Sequence, residues 1–120
     1  MKIITPKINE VSNKLFDRML QQKLGQELLE FLSREINIIR MIDACNLGRP
    51  AVEVLSVDLD NEFVSPFSDM TANEVDKWKQ FIGYLIRLIM EHNGYVHDAR
   101  DIELKYGSLF VKASRYKKVS

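Results

Sequence analysis

Thr71-Ala72-Asn73-Glu74-Val75-Asp76-Lys77-Trp78-Lys79-Gln80-Phe81-Ile82-Gly83-Tyr84-Leu85-Ile86-Arg87-Leu88-Ile89-Met90-Glu91-His92-Asn93-Gly94 is the stretch around which the rest of the chain must be arranged. Thr71 and Glu74 stand three apart, so each side chain can satisfy a free backbone N–H of a first helical turn. Met70 and Val75 flank that cap at the spacing of a hydrophobic staple. Val75, Trp78, Ile82, Leu85 and Ile89 then form one apolar stripe, widened by Phe81, Ile86 and Leu88. A stripe this broad needs contacts on more than one side, which predicts a central helix ending at Asn93-Gly94. Gly83 inside it costs about 1 kcal/mol relative to alanine. The expectation is that another backbone, from this chain or a second copy, comes close there.

The residues beyond this helix read as a β-hairpin. Gly107-Ser108 suits a two-residue type II′ turn. That turn pairs Tyr106 with Leu109, Leu104 with Val111 and Ile102 with Ala113, all on one face because side chains alternate. On the other face Glu103 meets Lys112, an opposite-charge cross-strand pair. A lone hairpin is marginal in water, so its apolar face should rest on the helices. Extending the same register sets Arg100 against Arg115, two like charges that call either for an anion, an acidic segment or a partner chain between them, or for fraying or a slipped register at the strand ends.

Toward the N-terminus, Ile8, Val11, Leu15, Phe16 and Met19 recur at helical spacing over about 5–22, with Thr5-Pro6 suited to N-cap and first helical position. Gly25 is read as a break or bend. Leu28, Phe31, Leu32, Ile36, Ile39 and Ile42 predict a second helix to about Asn46, stopped by Gly48 and Pro50. Residues 50–62 admit two readings. Val52 and Val54 can alternate as a strand, or Ala51, Leu55 and Leu59 can share one helical face; the turn before Pro50 favours the helix. The whole predicts a helix-dominated α+β fold, three or four helices packed on a C-terminal antiparallel hairpin, with residues 1–120 as one domain.

Composition sets outer bounds. The 120 residues are 46% hydrophobic and 28% charged, ordinary for a globular domain and unlike disorder. Cys45, the single cysteine, lies in an apolar run and reads as a buried reduced thiol. No apolar run approaches the roughly 18–20 residues that cross a bilayer, and no signal-peptide pattern opens the chain. A cytoplasmic location with no membrane partner is the expectation. The 17 basic and 17 acidic residues cancel but are unevenly spread. Residues 1–42 carry seven basic and five acidic groups, 43–76 one and eight, and 77–120 nine and four, or +2, −7 and +5. Such a dipolar chain can steer an anion to its C-terminal third or pair head to tail with itself.

Three constellations bear on function. Ala44, Leu47, Gly48, Val54 and Val57 have the spacing of a helix-turn-helix, with a basic hairpin as its wing. The nucleic-acid or anion contacts would then be Arg100, Lys105, Lys112, Arg115, Lys117 and Lys118. Against it, Glu53, Asp58 and Asp60 on the second helix would repel the phosphates that supply most affinity. The acidic run Asp58 to Glu62 lacks the glycine and final glutamate of a calcium loop. His92 and His97 match no familiar ligand spacing. Nothing calls for a metal, a cofactor or a catalytic residue. The first functional expectation is therefore a non-catalytic interaction protein, a homodimer using Gly83, Phe110 and Val111. The alternatives are a winged helix-turn-helix DNA-binding regulator, not favoured, and a small-ligand-binding domain with an unidentified ligand in a pocket of Trp78, Tyr84 and Tyr106.

Overall fold

The computed structural model describes residues 14–98, 102–106 and 109–119, the strands 102–106 and 109–113 and Val64 by backbone alone. Within these residues the helices are α1 (Lys14–Leu20), α2 (Lys23–Leu32), α3 (Glu35–Asn46), α4 (Ser56–Ser68) and α5 (Ala72–His92). A short 3-10 helix, Ala51–Leu55, runs directly into α4. The strands are β1 (Tyr95–His97), β2 (Ile102–Tyr106), β3 (Leu109–Ala113) and β4 (Tyr116–Lys118). The expected helix-dominated α+β fold is what the chain adopts.

The central helix begins and ends where its sequence dictates. Thr71 Oγ1 accepts from the Glu74 amide at 3.2 Å, and Glu74 Oε1 accepts from the Thr71 amide at 3.4 Å. Met70 and Val75 are half-buried against the core, as a staple requires. At the far end Gly94 takes φ +83° and its amide donates to the Glu91 carbonyl. The buried face of α5 comprises Trp78, Phe81, Ile82, Leu85, Ile86, Ile89 and Met90. Leu20, Leu28, Leu32, Ile38, Met41, Ile42, Leu55 and Leu59 pack with it, each essentially without solvent contact. The radius of gyration, 13.5 Å, is what about 120 closely packed residues give.

The N-terminal half is cut more finely than its periodicity implied. Chain direction changes at Gln21-Gln22, not at Gly25, which lies buried within α2. The expected single helix through residues 28–46 is two, parted at Ser33-Arg34. Asn37 explains that corner. It is a buried polar residue whose Nδ2 donates to the Phe31 carbonyl at 2.8 Å, tying the end of α2 to the first turn of α3. An apolar-only stripe passes over Asn37 and picks Ile36, which is 62% exposed. The end of α3 follows expectation. Gly48 adopts φ +71°, the Arg49 amide donates to the Ala44 carbonyl and the Gly48 amide to that of Cys45, a Schellman close. Beyond it, residues 51–62 are helical, a 3-10 helix leading into α4, with Ala51, Leu55 and Leu59 buried as the helix reading requires. The acidic run Asp58 to Glu62 is therefore part of α4, without the looped backbone a calcium site needs.

At the C-terminus the inner ladder has the predicted register: Ile102 opposite Ala113, Glu103 opposite Lys112, Leu104 opposite Val111 and Tyr106 opposite Leu109. The turn Gly107-Ser108 lies outside the described residues, as do the Thr5-Pro6 cap, Ile8 and Val11. Both strands run beside α4, and β3 also meets α5, so the hairpin lies on the helices. A second ladder pairs Tyr95 with Lys118, Val96 with Lys117 and His97 with Tyr116. Four residues separate β1 from β2 but only two separate β3 from β4, so the outer register is offset by two. The Asp98 amide consequently donates to the Arg115 carbonyl at 2.9 Å. Asp98, not Arg100, stands opposite Arg115, and the like-charge conflict expected there does not arise at that pairing; Arg100 itself is outside the described residues.

Candidate ligand cleft

Two turns of α5 and the outer ladder enclose an open cleft of about 500 Å³, within the range of small-molecule sites. Its helical wall is one row of α5: Lys79, Gly83 and Arg87 recur every four residues, so they lie above one another on the helix. Gln80, Tyr84 and Ile86 broaden that wall. Opposite stand His97 on β1, Ser114 in the link after β3, and Tyr116 on β4, with Val52 of the 3-10 helix beneath. The row is the neighbour of the buried stripe, which explains how one helix both fills the core and lines a cleft.

Each wall is fixed from behind. The Tyr84 ring packs on Phe16 of α1 at 4.8 Å between centroids, and Phe16 meets Phe81 edge-on at 5.9 Å. Across the gap, Tyr116 is buried at 5% exposure, and His97 meets its ring edge-to-face at 5.7 Å. The Ser114 carbonyl accepts from the Ala51 amide at 3.2 Å, holding the link against the 3-10 helix. Tyr95 donates its hydroxyl to Asn46 Oδ1 at 2.7 Å, which docks β1 on the end of α3. On the rim Arg87 Nε donates to Glu91 at 2.9 Å and Gln80 to Asp76 at 2.9 Å.

At Gly83 the described residues supply no close backbone. A Cβ built there would meet nothing within 4 Å among the described residues, so no neighbouring backbone within them offsets the cost of a mid-helix glycine. It opens instead onto the cleft between the two cations. Trp78, expected in a pocket, is a core residue, buried at 7% exposure and edge-on to Phe81 at 5.4 Å. Tyr84 does line the cleft, while the side chain of Tyr106 is not among those described. Sequence reasoning missed Lys79, Arg87, His97, Ser114 and Tyr116 as a group. The row Lys79-x3-Gly83-x3-Arg87 was the available clue on α5; the β1–β4 pairing that completes the site had none.

The other candidates fall elsewhere. Arg115, Lys117 and Lys118 are exposed, and Lys117 reaches Asp98 at 3.5 Å. Lys105, Lys112, Phe110 and Val111 sit on β2 and β3, where only backbone is described. In the corner read as a helix-turn-helix, Leu47 is 74% and Val57 59% exposed, whereas that packing would place both inside. Asp58 is bound to Arg40 of α3 at 2.8 Å, and Arg40 also donates to the Val54 carbonyl. His92 closes α5 and His97 lies in β1; among the described residues no three His, Cys, Asp or Glu side chains gather as a metal site. A second, smaller hollow is lined by Glu27, Glu30, Arg34, Glu62 and Phe63. There the hydrogen bonds from Arg34 hold the Glu30 carboxyl below its ordinary range.

Cys45 lies behind Tyr116, buried, with its thiol directed to Met90 Sδ at 3.8 Å. Burial pushes the thiol up to about 11, against a smaller lowering by the Tyr116 backbone. The group therefore keeps its proton at neutral pH, and a thiol in that state is a poor nucleophile. Among the described residues no helix is long and apolar enough to cross a membrane. Comparison with protein-family models, with curated proteins and with solved structures finds no match to this chain.

Proposed function

We propose that this chain is a non-catalytic binding protein whose recognition site is the cleft between α5 and the outer ladder. The observation that carries this reading is the convergence on one 500 Å³ hollow of two cations, an imidazole and several hydroxyl-bearing side chains, over an apolar base. Walls braced by Phe16, Asn46 and Ala51 make a site that is preformed, which lowers the ordering cost of binding. The protonated thiol behind Tyr116 supports recognition over covalent chemistry there. The test is a screen of chemically diverse small molecules by backbone amide spectra of the intact chain. Binders should perturb residues 79–87, 97 and 114–116 and lose their effect in Gly83→Leu, whose Cβ meets no described atom within 4 Å and whose side chain would project toward the cleft. Perturbations that cluster elsewhere, or that survive Gly83→Leu unchanged, would defeat the reading.

Self-association is the second reading, favoured by the ladders themselves. Among the described residues each strand has one strand neighbour, so each ladder leaves a strand edge without a strand partner. Such an edge is a template for a second copy. Sedimentation velocity should then show a mass that rises with concentration; one monomeric species throughout would remove this reading. The DNA-binding alternative draws less support, because Leu47 and Val57 do not pack as its corner requires.

A further inference from the structure

Leu47, Ile36 and Val57 are the most exposed large apolar side chains among the described residues, and they lie on α3, its cap and the start of α4. Ile36, Arg40, Asp43 and Leu47 stand three or four residues apart, so they share one face of α3 and its cap. Arg40 on that face is taken by Asp58, whereas the Asp43 carboxylate has no hydrogen bond or ion pair among the described residues. The outer ladder has a second such face. Its strands bury Tyr95 and Tyr116, and alternation turns Val96, Asp98, Arg115, Lys117 and Val119 to the other side, all exposed. Lys117 answers Asp98 at 3.5 Å, and the Arg115 side chain has no partner among the described residues. Apolar side chains exposed singly need no explanation. These gather on two faces, each with one free charge, and the two charges are opposite.

We propose that these two faces bind each other between copies of this chain. Val96, Val119 and Arg115 of one copy cover Ile36 and Leu47 of the second, with Arg115 set against the second copy's Asp43. The proposal rests on the self-association reading above and assigns its surface, two faces in place of a strand edge. Within one chain the faces adjoin, because Tyr95 is bonded to Asn46, the neighbour of Leu47. A two-fold pair then makes the contact twice and closes. Burial of the apolar side chains supplies the attraction, while the opposite charges fix the register and reject like-charged approaches. The regional charge has the same sense: residues 43–76 sum to −7 and residues 77–120, which include the ladder, to +5.

The test is sedimentation velocity of the intact chain over a wide concentration range, at low and at high salt. The parent should show a monomer–dimer equilibrium that weakens as salt screens the charge pair. Asp43→Arg and Arg115→Asp should each weaken the dimer about tenfold, because each sets like charges opposite one another. The double variant, and an equimolar mixture of the two single variants, should recover it, since every contact then opposes unlike charges again. Leu47→Ser should weaken the dimer as well while leaving the thermal midpoint of dilute protein unchanged, as its exposure implies. A dimer that keeps its affinity in all three single variants docks elsewhere, which overturns the assignment of the faces and leaves self-association standing. Weakening that neither the double variant nor the mixture reverses shows that Asp43 and Arg115 do not meet, and overturns it too. If the parent sediments as a monomer throughout, self-association and the assignment fall together.

Discussion

Two glycines in two regions of this molecule occupy helices for opposite reasons. Gly25 lies in α2, buried under the end of α1, where a Cβ would collide with the Met19 carbonyl and stand 2.9 Å from the Leu20 Cα. Gly83 lies in α5 with no described atom within 4 Å of the same hypothetical Cβ. One glycine exists because two backbones meet; the other sits where nothing among the described residues demands it. The N-terminal corner is a packing solution and the α5 row is an opening. Sequence alone reads Gly25 as a break where it is a close approach, because a glycine letter records a missing side chain but not what fills the gap.

The largest effect expected from this contrast is at Gly25. Gly25→Ala forces a methyl into backbone, which cannot rotate away as a flexible side chain can. Overpacking of that kind should destabilise by on the order of 3 kcal/mol, lowering the thermal midpoint by roughly 10 °C. A melting curve within a couple of degrees of the parent would show that α1 does not lie against α2 as described. Asn37 sharpens the picture of the same corner by a smaller margin. Asn37→Ala removes the buried bond to the Phe31 carbonyl and should cost about 1 kcal/mol in urea unfolding. An unchanged midpoint there would mean that the α2–α3 joint is held by apolar packing alone.

How much was legible in the sequence depends on the range of the forces involved. The capping box at Thr71 and Glu74, the left-handed cap at Gly48 and the inner register from Ile102 to Ala113 are each decided within a few residues, and each is found as read. So is the helix over 51–62, where Ala51, Leu55 and Leu59 outvote two valines. Errors begin where one element must know about another. Asn37 breaks a helix by bonding back six residues, and a stripe of apolar letters has no place for it. The outer ladder departs from the inner one by two residues, which no turn chemistry announces. The cleft depends on that ladder, so half its lining was invisible, whereas Lys79, Gly83 and Arg87 already stood four apart on a helix correctly placed.

Gly83 gives the smallest effect and the most informative sign. In a chain whose native backbone alanine can adopt, replacing a mid-helix glycine removes unfolded-state freedom and stabilises the fold by up to about 1 kcal/mol. Gly83 meets that condition: its φ is not positive, and no described atom lies within 4 Å of its Cβ direction. Gly83→Ala should therefore raise the urea midpoint of the free protein, and the same methyl, projecting over the cleft floor, should weaken whatever the cleft binds. A gain in stability coupled to a loss in binding is the mark of a glycine kept open for a ligand. A loss of stability that grows with protein concentration points instead to a second copy whose backbone fills the space, the close approach that a mid-helix glycine suggests from sequence. Neither outcome is available at Gly25, where alanine can only subtract, and that asymmetry separates a glycine that serves packing from one that leaves room.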